Sequence, residues 1–255
     1  MSNAKNAPAK RRKLLGVGTD AKTRKGAPRG YLTGILYLAP ADESGYQTCP
    51  MASDGCRAAC LFTAGRGAFS NVREARVSKT RYFFENREAF LADLHADIAA
   101  LVRKAARDGM KPAVRLNGTS DIPWERVAPA IFEAFPEVQF YDYTKRPNRA
   151  DLPANYSLTF SRSESNAGDV SAELARGVNI AAVFDVAKGA PLPRTWNGRP
   201  VIDGDETDLR FLDKRAADGG AVIVGLRGKG AAKGDESGFV LPVLNTAPAC
   251  AGSAA

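Results

Sequence analysis

Short apolar runs alternate with helical segments along most of the chain, and this order constrains the fold more than any other feature of the sequence. Strands are predicted at residues 31–39, 113–116, 138–143, 156–160, 179–185, 199–202 and 221–225, with helices at 123–135 and 170–176. Repeated strand–helix units give parallel strands, in an open doubly wound sheet or in a barrel. We predict an α/β fold and favour a complete or partial TIM-like barrel with mainly parallel strands, in which a cysteine loop follows the first strand.

A long helical region separates the first predicted strand from the others. It begins near Phe69, and Asn86 is expected to divide it by capping a second helix. In that second helix, five apolar residues recur at helical spacing: Phe90, Leu94, Ile98, Leu101 and Ala105. This spacing places them on one helix face and predicts that the face packs against the core, until Gly109 ends the helix.

The chain is basic, with a net charge of +8, and much of the excess lies near the N-terminus. Such a charge favours polyanionic partners, so we expect contact with a nucleotide or nucleic acid. Residues 1–29 are predicted to be a basic flexible tail, 30–244 a single α/β domain and 245–255 a second flexible tail. The sequence lacks a signal sequence and a run of about 18 apolar residues, which predicts a cytoplasmic protein that does not enter a membrane.

Three cysteines lie within one short loop, at Cys49, Cys56 and Cys60. Clustered thiols in a cytosolic chain more often bind metal than form structural disulfides. Three thiolates suit a 4Fe-4S cluster with one iron left open for a ligand, and zinc is the second candidate. Packing as three small reduced side chains is the remaining interpretation. His95 is expected to be a helix histidine and Cys250 a free thiol, rather than further ligands.

Polar residues follow each predicted strand, and the carboxyl ends of parallel strands meet at one edge of the fold. We therefore expect these side chains to form one rim, onto which the cysteine loop also opens. The candidates for catalysis are Asn117, Ser120, Asp121 and Lys145. The candidates for substrate binding at this rim are Ser161, Arg162, Asp203, Asp205 and Arg227. Helix capping by Ser120 or Asp121, and polar loops without a function, are the alternatives.

A basic stretch follows the cysteine loop. Arg66, Arg73 and Arg76 are its candidates for substrate binding. Arg73 and Arg76 lie three residues apart, so on a helix they share a face and could meet phosphates. A solvated helix face explains the same pattern.

Several separated motifs resemble the phage "gene product 88" family. They lie at residues 49–60, 63–67, 117–121, 196–198, 201–205 and 225–227, within a resemblance that spans about residues 30–240. The resemblance implies a phage or prophage origin, and hence the cytoplasm of the host cell. It does not supply an activity.

A more distant resemblance is to radical S-adenosylmethionine enzymes, whose partial barrels carry a three-cysteine cluster loop after the first strand. The cysteine spacing differs here, and Ala59 replaces the aromatic residue that commonly precedes their last cysteine. The resemblance implies that Cys49, Cys56 and Cys60 bind a cluster, with S-adenosylmethionine as a candidate cofactor. Our leading hypothesis is an iron-sulfur enzyme acting on a nucleotide or nucleic acid. The rival hypothesis is a nucleic-acid-binding phage protein, linked to replication, with a structural zinc or no metal.

Overall fold

A computed structural model of the protein describes residues 11–18 and 21–243, and one sheet dominates it. The strands are β1 (Leu15–Val17), β2 (Tyr31–Leu36), β3 (Lys111–Arg115), β4 (Gln139–Thr144), β5 (Tyr156–Ser161), β6 (Ile180–Phe184), β7 (Thr195–Trp196), β8 (Arg199–Asp203), β9 (Ile223–Arg227) and β10 (Val240–Leu241). The α-helices are α1 (Ala21–Arg24), α2 (Asp54–Ala58), α3 (Ser70–Glu85), α4 (Arg87–Arg107), α5 (Trp124–Val127), α6 (Pro129–Ala134) and α7 (Ala167–Ala175).

The sheet has the strand order β1-β2-β3-β4-β5-β6-β9-β8-β7. Strands β2 to β6, β9 and β8 are parallel, and the short strands β1 and β7 are antiparallel to their neighbours. Among the described residues, the edge strands β1 and β7 do not pair with each other, so the sheet is open. The α/β class and the mainly parallel sheet are confirmed, and a partial barrel stays a prediction.

The sheet divides at the carboxyl end of β5. Strand β5 pairs with β4 on one side and with the first two residues of β6 on the other. Phe160 lies opposite Ile180, and Ser161 lies opposite Ala181. The last two residues of β6 pair with β10, where Val240 lies opposite Val183. Because β9 occupies the other edge of β6 over its full length, β5 and β10 share one edge. The loop after β5 is therefore free to turn away from the sheet.

The two faces of the sheet are covered differently. On one face, Val114 and Phe140 pack with α3, α4 and α6 in the largest apolar cluster. On the other face, alternate residues such as Tyr141 pack against Leu209 and Phe211, which lie in the chain that follows β8. This part of the face is thus covered by a connecting segment that includes a short 3-10 helix, Arg210–Leu212.

The predicted helical region is confirmed in its main features. It is divided at Asn86, although the Asn86 side chain makes no capping hydrogen bond. The five apolar residues predicted to face the core are all buried. Gly109 follows α4 with a φ of 65°, a left-handed conformation that glycine adopts without strain.

The structure differs from the sequence prediction at two places. The helix predicted at 123–135 is broken into α5 and α6, because Pro129 lacks an N–H group and disfavours helical geometry at the residue before it. Residues 11–18 and 21–29, predicted as part of a tail, belong to the folded domain. Leu14 and Leu15 are buried, and both donate backbone hydrogen bonds to the Asp97 carboxylate.

The predicted C-terminal tail, with Cys250, lies outside the described residues, as do residues 1–10 of the predicted N-terminal tail. In the described part of the chain, no helix combines the length and the apolar character needed to cross a bilayer.

Candidate functional site

A cavity with a volume of about 270 Å³ lies at the carboxyl ends of the parallel strands. Its wall includes most of the side chains that the sequence predicted to share a rim. These are Cys49, Cys56, Cys60, Asn117, Ser120, Asp121, Lys145, Ser161, Arg162, Asp205 and Arg227. Four predicted residues do not line it: Arg66, Arg73, Arg76 and Asp203.

The cysteine loop leaves β2 through a constrained turn. Ala41 has a φ of 45°, a left-handed conformation that is uncommon for a residue with a side chain. The Thr48 backbone N–H donates to the Ala41 carbonyl at 2.9 Å, and the Thr48 hydroxyl donates to the Ala39 carbonyl at 2.7 Å. These two bonds close the first part of the loop and place Cys49 on the cavity wall.

Helix α2, which carries Cys56, is attached to the loop after β5. The Ser53 side chain caps the helix by accepting from the Cys56 backbone N–H. The Glu164 carboxylate accepts from the Ser53 hydroxyl and from the Gly55 N–H, both at 2.8 Å. A Cβ at Gly55 would lie 2.9 Å from that carboxylate, so glycine allows this approach. A carboxylate at a helix N-terminus is favourable, because the free N–H groups point toward it.

The three thiols are half-buried in the cavity wall and influence one another. Burial raises the pKa of Cys60 to about 11, and the neighbouring Cys56 and Cys49 thiols contribute to the rise. Burial also raises the pKa of Cys49, although a hydrogen bond at Ala41 opposes this effect. Both groups are therefore thiols at neutral pH unless a cation stabilises the thiolate.

The thiols differ in their immediate contacts. The Cys49 sulfur lies 3.7 Å from the Thr119 carbonyl oxygen. Cys56 packs against a small apolar cluster that includes Phe239. Within residues 11–18 and 21–243, no three side chains of Cys, His, Asp or Glu converge closely enough to hold a single metal ion. The sequence predicted the shared location of the thiols, and their ligation of a metal stays a prediction.

Asn117 organises the loop after β3. Its Oδ1 accepts hydrogen bonds from the Ser120 hydroxyl, the Ile122 N–H and the Trp124 indole N–H at 2.9–3.1 Å. Its Nδ2 donates to the Ile122 carbonyl and to Asp142. The amide is thus saturated by protein partners, which favours a structural function over the catalytic one predicted for Asn117 and for Ser120.

Asp121 fixes the start of the next loop. Its carboxylate accepts from the Thr144 hydroxyl at 2.8 Å and from the Lys145 backbone N–H at 2.9 Å. The Lys145 ammonium lies 5.6 Å from the centre of the Phe239 ring, and its charge acts on Cys60. In the described part of the chain, this ammonium has no hydrogen bond or ion pair. Lys145 is therefore a cation of the cavity wall that has no carboxylate partner among these described residues.

Arg162 approaches the same phenylalanine from the loop after β5. Its Nη1 donates to the Phe239 carbonyl at 2.7 Å and also to the Gly238 carbonyl. Burial lowers the pKa of Arg162 below its usual value, an effect that Glu164 and Asp235 oppose from a distance. Within the described residues, Arg162 makes no ion pair. We call Cys49, Cys56, Cys60, Lys145 and Arg162 the thiol wall.

Another part of the cavity wall contains cations that are matched by carboxylates. Arg227 forms ion pairs with Asp203 at 2.9 Å and Asp205 at 3.2 Å, and Lys229 forms one with Asp205 at 2.5 Å. Lys25 donates to the Asp205 backbone carbonyl. The hydrogen bond from Arg227 holds the pKa of Asp203 below its usual value, although burial opposes this effect. We call Asp203, Asp205, Arg227 and Lys229 the carboxylate wall; Asp203 belongs to it as a partner of Arg227 although it does not line the cavity.

The floor of the cavity is a buried ion pair that the sequence analysis did not identify. The Arg115 guanidinium donates to the Asp208 carboxylate at 3.0 Å, and Tyr141 contacts the same carboxylate at 3.4 Å. Burial raises the pKa of Asp208, but Arg115 outweighs this effect and holds the pKa below its usual value. An arginine within a predicted buried strand was the available signal, since such residues are rarely buried without a partner.

Lys22 and Lys25 also line the cavity and were assigned to the tail by the sequence analysis. They were missed because a basic stretch near a terminus is usually solvated. Only the pairing of β1 with β2 brings this stretch onto the domain.

The predicted phosphate-binding helix face lies outside the cavity and contacts groups of the protein. Arg73 pairs with Glu43 at 3.7 Å, and Arg76 lies over the Tyr37 and Phe62 rings. Arg66 is exposed on the short helix before α3. Arg73 and Arg76 thus connect α3 to the chain between β2 and α3, and all three arginines lie outside the cavity. His95 is exposed and packs on Phe135, away from the cavity.

The profile of one family, described as Gene product 88, matches residues 8–242 of this chain. The chain therefore belongs to the Gene product 88 family, and the predicted phage family is confirmed. Searches of curated proteins and of solved structures each gave no match. The resemblance to radical S-adenosylmethionine enzymes stays a prediction.

Proposed function

We propose that this protein is a phage enzyme that holds an iron-sulfur cluster on Cys49, Cys56 and Cys60 and acts on a nucleotide or nucleic acid. The observation that carries the proposal is that three thiols from one loop open onto the same basic cavity. A bound cluster would supply electron-transfer or Lewis-acid chemistry. S-adenosylmethionine is a candidate second ligand.

The donor set fits a cluster better than a single ion. A single zinc ion draws four ligands to about 2.0–2.3 Å from one centre. A cluster takes each thiolate on a different iron, so its ligands are spread around a larger volume. Within the described residues, the three half-buried thiols line one cavity without converging on a single-ion site, which is compatible with the second arrangement.

The loop that carries the thiols is held from several directions. Thr48 closes its beginning on Ala39 and Ala41, and Glu164 anchors the N-terminus of α2. Such contacts around the ligands orient them and reduce the entropy lost on binding. This rigidity favours a binding function for the thiols over simple packing of three small side chains.

The charge of the cavity supports an anionic substrate. Eight cationic side chains line it against three acidic ones. The cations are Lys22, Lys25, Arg57, Arg115, Lys145, Arg162, Arg227 and Lys229, and the acids are Asp121, Asp205 and Asp208. A concave site lined by one sign of charge concentrates ligands of the opposite sign. A phosphate-bearing molecule matches this field.

The test is to purify the protein without oxygen, reconstitute it with iron and sulfide, and measure both elements with the visible spectrum. We expect bound iron and sulfide, with broad absorption near about 400 nm, and loss of both in Cys49→Ser, Cys56→Ser and Cys60→Ser. Cys250→Ser is the matched control and should retain the iron of the wild type.

A wild-type protein that binds no iron under these conditions would refute the cluster. Stoichiometric zinc with salt-dependent DNA binding would instead favour the nucleic-acid-binding hypothesis. So would DNA binding that persists in all three cysteine variants.

A further inference from the structure

The thiol wall and the carboxylate wall differ in how their cations are used. On the carboxylate wall, Arg227 and Lys229 are neutralised by Asp203 and Asp205 at ion-pair distance. On the thiol wall, Lys145 and Arg162 contact only a ring and two carbonyl groups within the described residues. Lys145 contacts the Phe239 ring and Arg162 contacts the Phe239 carbonyl, so the two cations share one neighbouring residue.

Each of these two cations retains donors for a ligand. Nη1 of Arg162 is used by the carbonyls of Gly238 and Phe239, which fixes the guanidinium plane. Nε and Nη2 make no hydrogen bond in the described part of the chain. A guanidinium presents its donors as a rigid fork that matches phosphate oxygens, and an ammonium adds a point charge. The pair thus has the donors for one phosphate group.

We propose that Lys145 and Arg162 bind the phosphate group of a mononucleotide, which places that ligand beside Cys60. The inference rests on the proposed function in taking this cavity as the substrate site, and it narrows the substrate class. Lys145 and Cys60 line the same cavity. Ala59, which precedes Cys60, packs with Phe239, and the Lys145 ammonium lies over the Phe239 ring.

The size of the cavity favours a mononucleotide over a strand. Its volume of about 270 Å³ is close to the lower limit of small-molecule pockets, which span about 300–1,000 Å³. A duplex cannot enter such a space, and enzymes that act on a base in a duplex must first extrude it.

The surface outside the cavity gives little support to strand binding. A nucleic-acid strand is usually held by many phosphate contacts along a basic groove. Here Arg73 is paired with Glu43 at 3.7 Å. Arg81 donates to the Ser44 carbonyl. These arginines are engaged within the protein.

The test is calorimetric titration of the reconstituted protein with inorganic phosphate, adenosine 5′-monophosphate and adenosine. We expect the monophosphate to bind at least about tenfold more tightly than adenosine. Lys145→Gln and Arg162→Gln should each weaken binding of phosphate and of the monophosphate by about tenfold or more. Arg199→Gln removes a cation from an exposed ion pair outside the cavity and should bind as the wild type does.

Arg162→Gln also loses its bonds to two carbonyl groups, so thermal unfolding is measured for each variant. Lys145→Gln removes no hydrogen bond of the described structure and keeps the test decisive if Arg162→Gln fails to fold. Equal binding of adenosine and its monophosphate would overturn the inference, as would wild-type affinity in Lys145→Gln. Tighter binding of a single-stranded oligonucleotide without a terminal phosphate than of the monophosphate would overturn the mononucleotide as the ligand and indicate a strand instead.

Iron content separates this inference from the proposed function. Lys145→Gln and Arg162→Gln are expected to retain the iron of the wild type. If no preparation binds iron but phosphate binding still depends on Lys145, the phosphate site stands and the cluster is refuted. If iron binds and the affinity for phosphate does not change in Lys145→Gln, the cluster stands and the phosphate site is refuted.

Discussion

The two walls of the cavity contain cations of the same kind but place them in different surroundings. Arg227 and Lys229 on one wall, like Arg115 on the floor, are satisfied by carboxylates of the protein itself. Lys145 and Arg162 on the other wall have no carboxylate at ion-pair distance in the described residues. The comparison teaches that cations of the first kind stabilise the fold, whereas those of the second kind are available to a ligand.

The largest expected effect is loss of stability when the floor ion pair is broken. In Arg115→Gln, Asp208 stays buried without its cation, which typically costs about 3–5 kcal/mol of unfolding free energy. Urea denaturation of the variant measures this loss. Arg199→Gln breaks an exposed pair and should leave the midpoint unchanged. A midpoint for Arg115→Gln equal to that of Arg199→Gln would show that the floor pair does not stabilise the fold.

The stability of the fold is expected to depend on pH through Asp142, a carboxyl group that does not line the cavity. Asp142 is buried, accepts hydrogen bonds from Asn117 and Tyr156, and makes no ion pair among the described residues. Burial raises its pKa to about 7, despite the opposing charge of Arg115. The folded state therefore holds a proton that the unfolded state releases near pH 4.

The contribution of protonated Asp142 to stability is complete below about pH 4 and is lost as the pH rises to about 7. The unfolding free energy should fall by a few kcal/mol over this range. Asp142→Asn should flatten the curve, leaving a smaller fall from Asp213, whose pKa burial raises to about 6. Denaturant titrations at each pH measure both curves. Identical curves for the variant and the wild type would contradict the assignment.

Neutralising the carboxylate wall should make it resemble the thiol wall. Asp205→Asn removes the partner of Lys229 and one of the two partners of Arg227. We expect phosphate to bind severalfold more tightly, because these cations then face the cavity without compensation. Asp203→Asn is the comparison, since Asp203 also pairs with Arg227 but does not line the cavity. Calorimetric titration with phosphate compares both variants with the wild type. A wild-type affinity in Asp205→Asn would mean that Asp205 does not limit anion binding.

The smallest expected effect is on stability at the thiol wall. Lys145→Gln should change the unfolding free energy by less than about 1 kcal/mol, because no ion pair in the described structure is broken. Its loss of phosphate binding should therefore occur without a shift in the denaturation midpoint. A loss of stability as large as that of Arg115→Gln would remove the distinction between the two walls.

The local elements and the rim were predictable to a large extent. The five apolar positions of α4 are separated by helical spacing, and the polar residues after each strand follow from strand ends alone. The cysteine loop is predicted on the rim because it follows the first predicted strand of a mainly parallel sheet. The assignment of Arg73 and Arg76 to a substrate stays a prediction, since helical spacing does not distinguish a face that meets solvent or a ligand from one that packs on the protein.

The sequence by itself determined the strand–helix order, the buried face of α4 and the position of the three thiols at the strand ends, because these depend on local periodicity and chain direction. The tertiary structure alone decided which charges are paired. Arg115 and Asp208 are 93 residues apart, and Lys25 reaches Asp205 across 180 residues. Such contacts arise because the chain after β8 crosses one face of the sheet and because β1 joins its edge, and neither event leaves a local pattern in the sequence.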